Sequence, residues 1–181
     1  MHFITMDRNI KIVKNYLKSN PIIENTKNGF GLTPLHYAAS HGNFLLCQFI
    51  IHNISVKNPR NRGGLTPFHI AAFNGHLSVC ELLINNITDK NPHVSGIFQG
   101  TPLHFAAQKG HYGIYKLILE HASIKNPMDD NCATPLHHAA ENGPDAICQL
   151  LMKYVKNKNI KSSFGKTPFH LASQKGHLEV C

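Results

Sequence analysis

The sequence predicts an all-α fold, a solenoid of short helix-turn-helix units stacked side by side, and three observations predict it. The tetrapeptide Thr33-Pro34-Leu35-His36 returns as Thr66-Pro67-Phe68-His69, Thr101-Pro102-Leu103-His104, Thr134-Pro135-Leu136-His137 and Thr167-Pro168-Phe169-His170. Successive threonines are 33, 35, 33 and 33 residues apart, and a fixed period of this size marks a repeat array in which each unit touches only its neighbours. Each copy also carries start and stop signals for an inner helix, followed in the first four by an apolar run long enough for a second, outer helix.

Residues 9 to 18 place Ile10, Val13 and Leu17 on one helical face, so residues 1–29 are read as an N-terminal partial repeat that caps the stack. In the first full unit, 30–62, Thr33 suits the N-cap and Pro34 the first helical position, where its missing N–H costs nothing. Leu35, Ala38 and Ala39 then share one face, with alanines small enough for another helix to approach closely. Gly42 is the stop, and Phe44 to Ile51 is apolar almost all round, as a helix wedged between its partner and its neighbours should be. Lys57-Asn58-Pro59 breaks that helix, and Arg60-Asn61-Arg62-Gly63-Gly64 is a turn leading to Thr66.

The same order is expected in 63–97, 98–130, 131–163 and 164–181. In 131–163 the segment Gly143-Pro144-Asp145 replaces the Gly-His found elsewhere, with proline opening the outer helix. The last unit is cut short: Cys181 occupies the slot of Cys80, after which the second unit continues with Glu81-Leu82-Leu83-Ile84. The chain is therefore expected to be a fragment of a longer protein.

Cys47, Cys80, Cys148 and Cys181 each lie 14 residues after their threonine, a slot that holds Tyr115 in the third unit. Stacked helices lie about 8–10 Å apart, beyond the ~7 Å Cα limit for a disulfide. These cysteines are expected to be buried small hydrophobes, leaving Cys132, in a loop, as the exposed thiol. Unpaired thiols, a start without a secretory pattern and the lack of a long apolar run point to a cytoplasmic or nuclear protein with no membrane span.

Thr-Pro-Leu-His-x-Ala-Ala, followed by Gly-His and a leucine-rich second helix, resembles the ankyrin repeat. The resemblance covers roughly residues 24 to 181 in five in-phase copies. It implies L-shaped units whose loops pair as β-hairpin fingers, a monomeric array, and a non-catalytic scaffold that binds a protein or peptide on the concave side. The alternative is that the chain is the recognition or regulatory segment of a larger enzyme, ubiquitin-ligase adaptor or ion channel, with its active part beyond residue 181. The family commonly has asparagine where this chain has Lys57, Lys90, Lys125 and Lys158. This lysine ladder is either solvated charge near helix C-termini or a basic stripe for an acidic peptide.

The resemblance also names the partner-facing slots: four, three and one residues before each threonine, and seven and eight after it. Read off this chain, they include Phe30, Leu32, Ser40, His41, Arg62, Leu65, Phe73, Asn74, Ile97, Phe98, Gln108, Lys109, Asp130, Asn131, Glu141, Asn142, Phe164, Lys166, Gln174 and Lys175. Phe30, Phe73, Phe98 and Phe164 are the anchor candidates, because aromatic side chains carry much of an interface's binding energy. The finger before Thr101 is two residues longer than its counterparts and holds Ile97 and Phe98, so its tip is expected to stand exposed and to set partner choice.

Other chemistries fit less well. Eighteen Lys and Arg against ten Asp and Glu give a net charge of +8, which favours an acidic partner, but the basic residues form no polybasic run and argue against direct nucleic-acid binding. Fourteen histidines suggest metal, yet His36, His69, His104, His137 and His170 belong to the motif, and His76, His111 and His177 follow its glycine. Regular recurrence speaks for structure, and zinc needs close sets of Cys or His ligands. Neither metal nor cofactor is expected. The acids are scattered, Asp129-Asp130 reads as a loop pair, and no nucleophile or phosphate loop stands out, so no catalytic residue is assigned.

Overall fold

The computed structural model of the protein describes residues 26–143 and 145–177. The capping helix expected at 9–18, the helix-opening role of Pro144 and the cysteine slot at 181 lie outside the described residues. Helices run in inner and outer pairs: α1 (Pro34–Ser40) with α2 (Phe44–Asn53), α3 (Pro67–Asn74) with α4 (Leu77–Asn86), α5 (Pro102–Lys109) with α6 (Tyr112–His121), and α7 (Pro135–Asn142) with α8 (Asp145–Tyr154). Inner helix α9 (Pro168–Lys175) follows. Inner helices α1, α3, α5, α7 and α9 stack in chain order, and α2, α4, α6 and α8 form a second row behind them.

The tetrapeptide explains why each inner helix starts where it does. In every copy the threonine is the N-cap and proline opens the helix, while the histidine three positions on completes a reciprocal capping box. The imidazole Nδ1 accepts the threonine backbone N–H, at 3.0 Å for His36, His104 and His137. An Nδ1 that accepts leaves the ring proton on Nε2. That second nitrogen reaches the next unit: His36 donates to the Leu65 carbonyl at 3.1 Å, His104 to Ala133 at 3.2 Å and His137 to Lys166 at 3.2 Å.

A second set of histidines ties the units in the opposite direction. His76 Nε2 meets the Ser40 carbonyl at 3.0 Å, His111 the Phe73 carbonyl at 3.1 Å and His177 the Glu141 carbonyl at 3.2 Å. These rings lie against the glycines that end the inner helices. At Gly75, where φ is 82°, an added Cβ would stand 2.7 Å from the His111 ring, so the position is closed to side chains by backbone and by space.

Between the rows sit Leu35, Phe68, Leu103 and the inner alanines, with Ile50, Ile51, Leu83, Ile84, Ile118 and Leu151 from the outer helices, all buried. Cys47, Cys80 and Cys148 are buried and unbridged, and Cys132 is exposed. Burial pushes the Cys47 thiol up to about 12, so it packs as an inert small hydrophobe. Tyr115 fills the corresponding slot in α6 with no exposure.

Among the described residues the fingers are turns closed by backbone bonds such as Asn28 N–H to the Leu32 carbonyl at 3.0 Å, and the expected β-hairpin strands are not shown. Among the described residues the isolated β-bridge pairs Val94 with Gly100. Elsewhere side chains take up the amides that a ladder would use: Asn28 Oδ1 accepts from Phe30 and Leu32, and Asp129 Oδ1 from Asn131 and Ala133. Adjacent fingers still join through the backbone, Arg62 N–H to the Phe30 carbonyl at 3.1 Å and Ser163 N–H to Asn131 at 2.8 Å.

Candidate partner-binding face

With threonine, histidine, alanine and glycine of each motif consumed by capping and stacking, the variable residues of the fingers and inner helices are left to form a face. At the finger tips Phe30 and Phe164 are each 75% exposed and Ile97 94%. His41, Arg62, Asn74, Lys109, Asp130, Glu141, Asn142, Gln174 and Lys175 are also exposed, whereas Leu32, Ser40, Leu65, Gln108, Asn131 and Lys166 are half-buried. The Phe98 side chain lies outside the described residues.

Phe73 stands apart from the other aromatic candidates. It meets Phe105 edge-on at 6.0 Å, and the Lys109 ammonium lies 4.4 Å from its ring centroid. The long finger is held at both sides. Arg60 donates to the His93 carbonyl at 2.9 Å, and Asp130 accepts from the Gly96 amide at 2.9 Å with His93 Nε2 3.4 Å away. Asp130 is thus engaged within the array, as are Glu141, which faces Lys175 at 3.7 Å, and Lys166, which donates to Gln174 at 2.8 Å.

The seven-and-eight rule missed a slot. Residues four after the threonine, Tyr37, Ile70, Phe105, His138 and Leu171, share the inner-helix face with those at seven and eight, as helical spacing requires. The signal was present: within Thr-Pro-Leu-His-x-Ala-Ala this x is the position that varies from copy to copy. Two of these residues have polar anchors, Tyr37 on Asn28 at 2.8 Å and His138 on Asp129 at 2.9 Å. Ile70 and Phe105, together with Leu65, His69 and Phe73, instead line an apolar hollow of about 130 Å³ between α3 and α5. A second hollow of about 270 Å³, more polar, includes His138, Glu141, Phe164, Lys166 and Leu171.

Electrostatics follow from burial. Burial lowers the His36 and His137 rings and takes His69 down to about 3, so these imidazoles are neutral. His69 differs from its counterparts in that its Nε2 completes no hydrogen bond. The carbonyls of Pro92 and Gly100 lie near enough to favour its proton, though neither meets it at hydrogen-bonding geometry. Burial alone would raise the Asp129 carboxyl, yet hydrogen bonds from His138, Ala133 and Asn131 overcome it and hold it below the usual carboxylate value.

His104, Asp129 and His138 bring one ligand-type atom each within 4.8 Å of one another. They do not make a metal site, because His104 Nδ1 accepts from Thr101 and Nε2 carries the proton given to Ala133. The lysine ladder is likewise structural in most of its members. Lys57 donates to the Ile51 and Ile54 carbonyls, Lys90 to Ile84 and Ile87, and Lys125 to Leu119 and Glu120, each closing the C-terminal end of an outer helix. Lys158 is exposed.

A stack of inner and outer helices tied by recurring histidines is the arrangement that the motif's resemblance implied, and the family comparison decides the matter. The family model of ankyrin repeats (3 copies) matches residues 1–94, 86–162 and 103–181. The chain belongs to the ankyrin-repeat family. No curated protein matches it closely enough to count as a relative. Ankyrin repeats are generally protein–protein interaction modules and typically carry no catalysis. Among the described residues no helix is long and apolar enough to cross a membrane.

Proposed function

We propose that this ankyrin-repeat chain is a non-catalytic recognition array that holds a partner protein or peptide along its fingers and inner helices, the concave side of the stack. The observation that carries this reading is the exposure of Phe30, Ile97 and Phe164 at three finger tips. Large apolar side chains held in water by turns that are themselves hydrogen-bonded are poised for transfer into an interface. Unbridged buried thiols at Cys47, Cys80 and Cys148 support a reducing compartment, cytoplasm or nucleus. The array acts as a single chain, each unit lending a few side chains to one partner.

The test is partner capture by the chain carrying Phe30→Ala, Ile97→Ala and Phe164→Ala together. Affinity for a captured partner should fall at least about tenfold while thermal stability barely moves, since exposed substitutions cost roughly 0.5 kcal/mol or less. Undiminished capture would remove the finger tips from the binding surface.

A further inference from the structure

The hollow between α3 and α5 lies where the repeat spacing is broken. Across the 35-residue interval from Thr66 to Thr101 the Gly100 carbonyl pairs with Val94 and His69 Nε2 lacks the inter-unit bond that His36, His104 and His137 make, while its ring stands edge-on to Phe105 at 5.6 Å as His104 does to His138 at 5.3 Å. The walls, Leu65, His69, Ile70, Phe73 and Phe105, present an apolar surface. An apolar cavity of about 150 Å³ holds a benzene-sized guest. A volume of about 130 Å³ therefore accepts one aliphatic side chain of leucine or isoleucine class.

Charge narrows the occupant. Lys109 sits over the Phe73 ring at the rim, and Arg62 is exposed in the finger that ends in Leu65. No Asp or Glu occurs in α1, α3 or α5, nor in the turns 28–32 and 61–65 that precede the first two, and the whole chain carries +8. Farther along, by contrast, Asp130 and Glu141 are on the face and already engaged. A guest that buries an apolar side chain here meets uncompensated positive charge beside it, which attracts carboxylates and repels basic segments.

We propose that this hollow is an anchor pocket for a partner segment that inserts one aliphatic side chain between Ile70, Phe73 and Phe105 and sets an acidic residue against Lys109. The inference rests on the recognition reading above and assigns that reading its central contact. The corresponding slots between α7 and α9 also leave a hollow, lined there by His138, Glu141 and Lys166; apolar walls are what set the one between α3 and α5 apart.

The test uses a random ten-residue peptide library displayed on phage and selected on the full chain. Selected peptides should share an aliphatic residue close to Asp or Glu. Their affinity should fall about thirtyfold on Phe73→Ala, the size expected of a buried interface anchor. Lys109→Glu, at an exposed position that leaves the fold intact, should weaken them about fivefold, and changing the peptide's acid to lysine should restore binding to that variant. Peptides lacking the shared pattern would overturn the proposal. So would peptides insensitive to both variants but weakened by the triple finger-tip substitution, which would leave the recognition reading standing; insensitivity to all of these would overturn both. Concentration-dependent self-association abolished by Phe73→Ala, seen by analytical ultracentrifugation, would seat a second copy there instead and also overturn it.

Discussion

Cys132 holds a left-handed backbone at φ 55°, in the turn position that Gly31, Gly64 and Gly165 fill in other fingers. A side chain there costs about 1–2 kcal/mol, because Cβ crowds the neighbouring carbonyl, whereas glycine brings an unfolded-state entropy cost of about 0.4–1 kcal/mol. Cys132→Gly should therefore stabilise the array by about 0.5–1 kcal/mol, read as a higher urea midpoint. A loss of stability would show that the cysteine side chain supports its turn. That Cys132 is exposed was legible from its loop position. Its strain was not, because nothing in a lone cysteine announces positive φ; alignment with Gly31, Gly64 and Gly165, two residues before Thr33, Thr66 and Thr167, does.

At the scale of elements, helix starts were legible because Thr-Pro supplies both the cap and the first helical residue. The fingers were harder to read, since Asn28, Asn61 and Asp129 close the turns with their own side chains where strands were expected. The exposure of the tips Phe30, Ile97 and Phe164 follows from their place in the fingers, whereas Ile70 and Phe105 were not among the slots that the resemblance named, although three-and-four spacing sets x on the same face as Phe73. The lysine ladder was read two ways, and the caps on α2, α4 and α6 favour the structural one. Lys90→Met, which keeps the stem and removes the ammonium from the Ile84 and Ile87 carbonyls, should cost about 1 kcal/mol. Lys158→Met should stay within about 0.5 kcal/mol, as an exposed substitution does. Equal costs in urea unfolding would deny Lys90 its capping role.

Across the whole molecule, stability rests on neutral imidazoles repeated at every junction, which makes it pH-dependent. His69 titrates at about 3 when folded, against about 6.5 in the unfolded chain, and burial lowers His36, His104 and His137 as well. The unfolded chain binds more protons in that interval, so stability is full above about pH 6.5 and falls on acidification, on the order of 1 kcal/mol per pH unit for His69, with the other lowered rings adding in the same direction. The depressed Asp129 carboxyl adds to the loss only further down, below the ordinary carboxylate value. Urea midpoints measured from pH 7.5 to 4.5 should hold down to about pH 6.5 and decline below it; a flat profile would mean that the folded rings take up protons as readily as the unfolded ones. The junctions are not equal, however, because His69 keeps a buried N–H unpaired where its counterparts are bonded. Replacing the eight residues 93–100 with a copy of the six residues 60–65 restores the 33-residue interval and offers His69 the carbonyl that precedes Thr101. Satisfying that donor contributes about 1–3 kcal/mol, but the swap also removes the buried Val94 side chain, on the order of 1.5–3 kcal/mol, so the net change in stability should be small. The same change removes the exposed Ile97 from the tip, so affinity for peptides selected on the natural chain should drop while stability barely moves. A large net loss of stability would show that the His69 donor does not offset buried Val94, and unchanged affinity that the long finger plays no part in recognition.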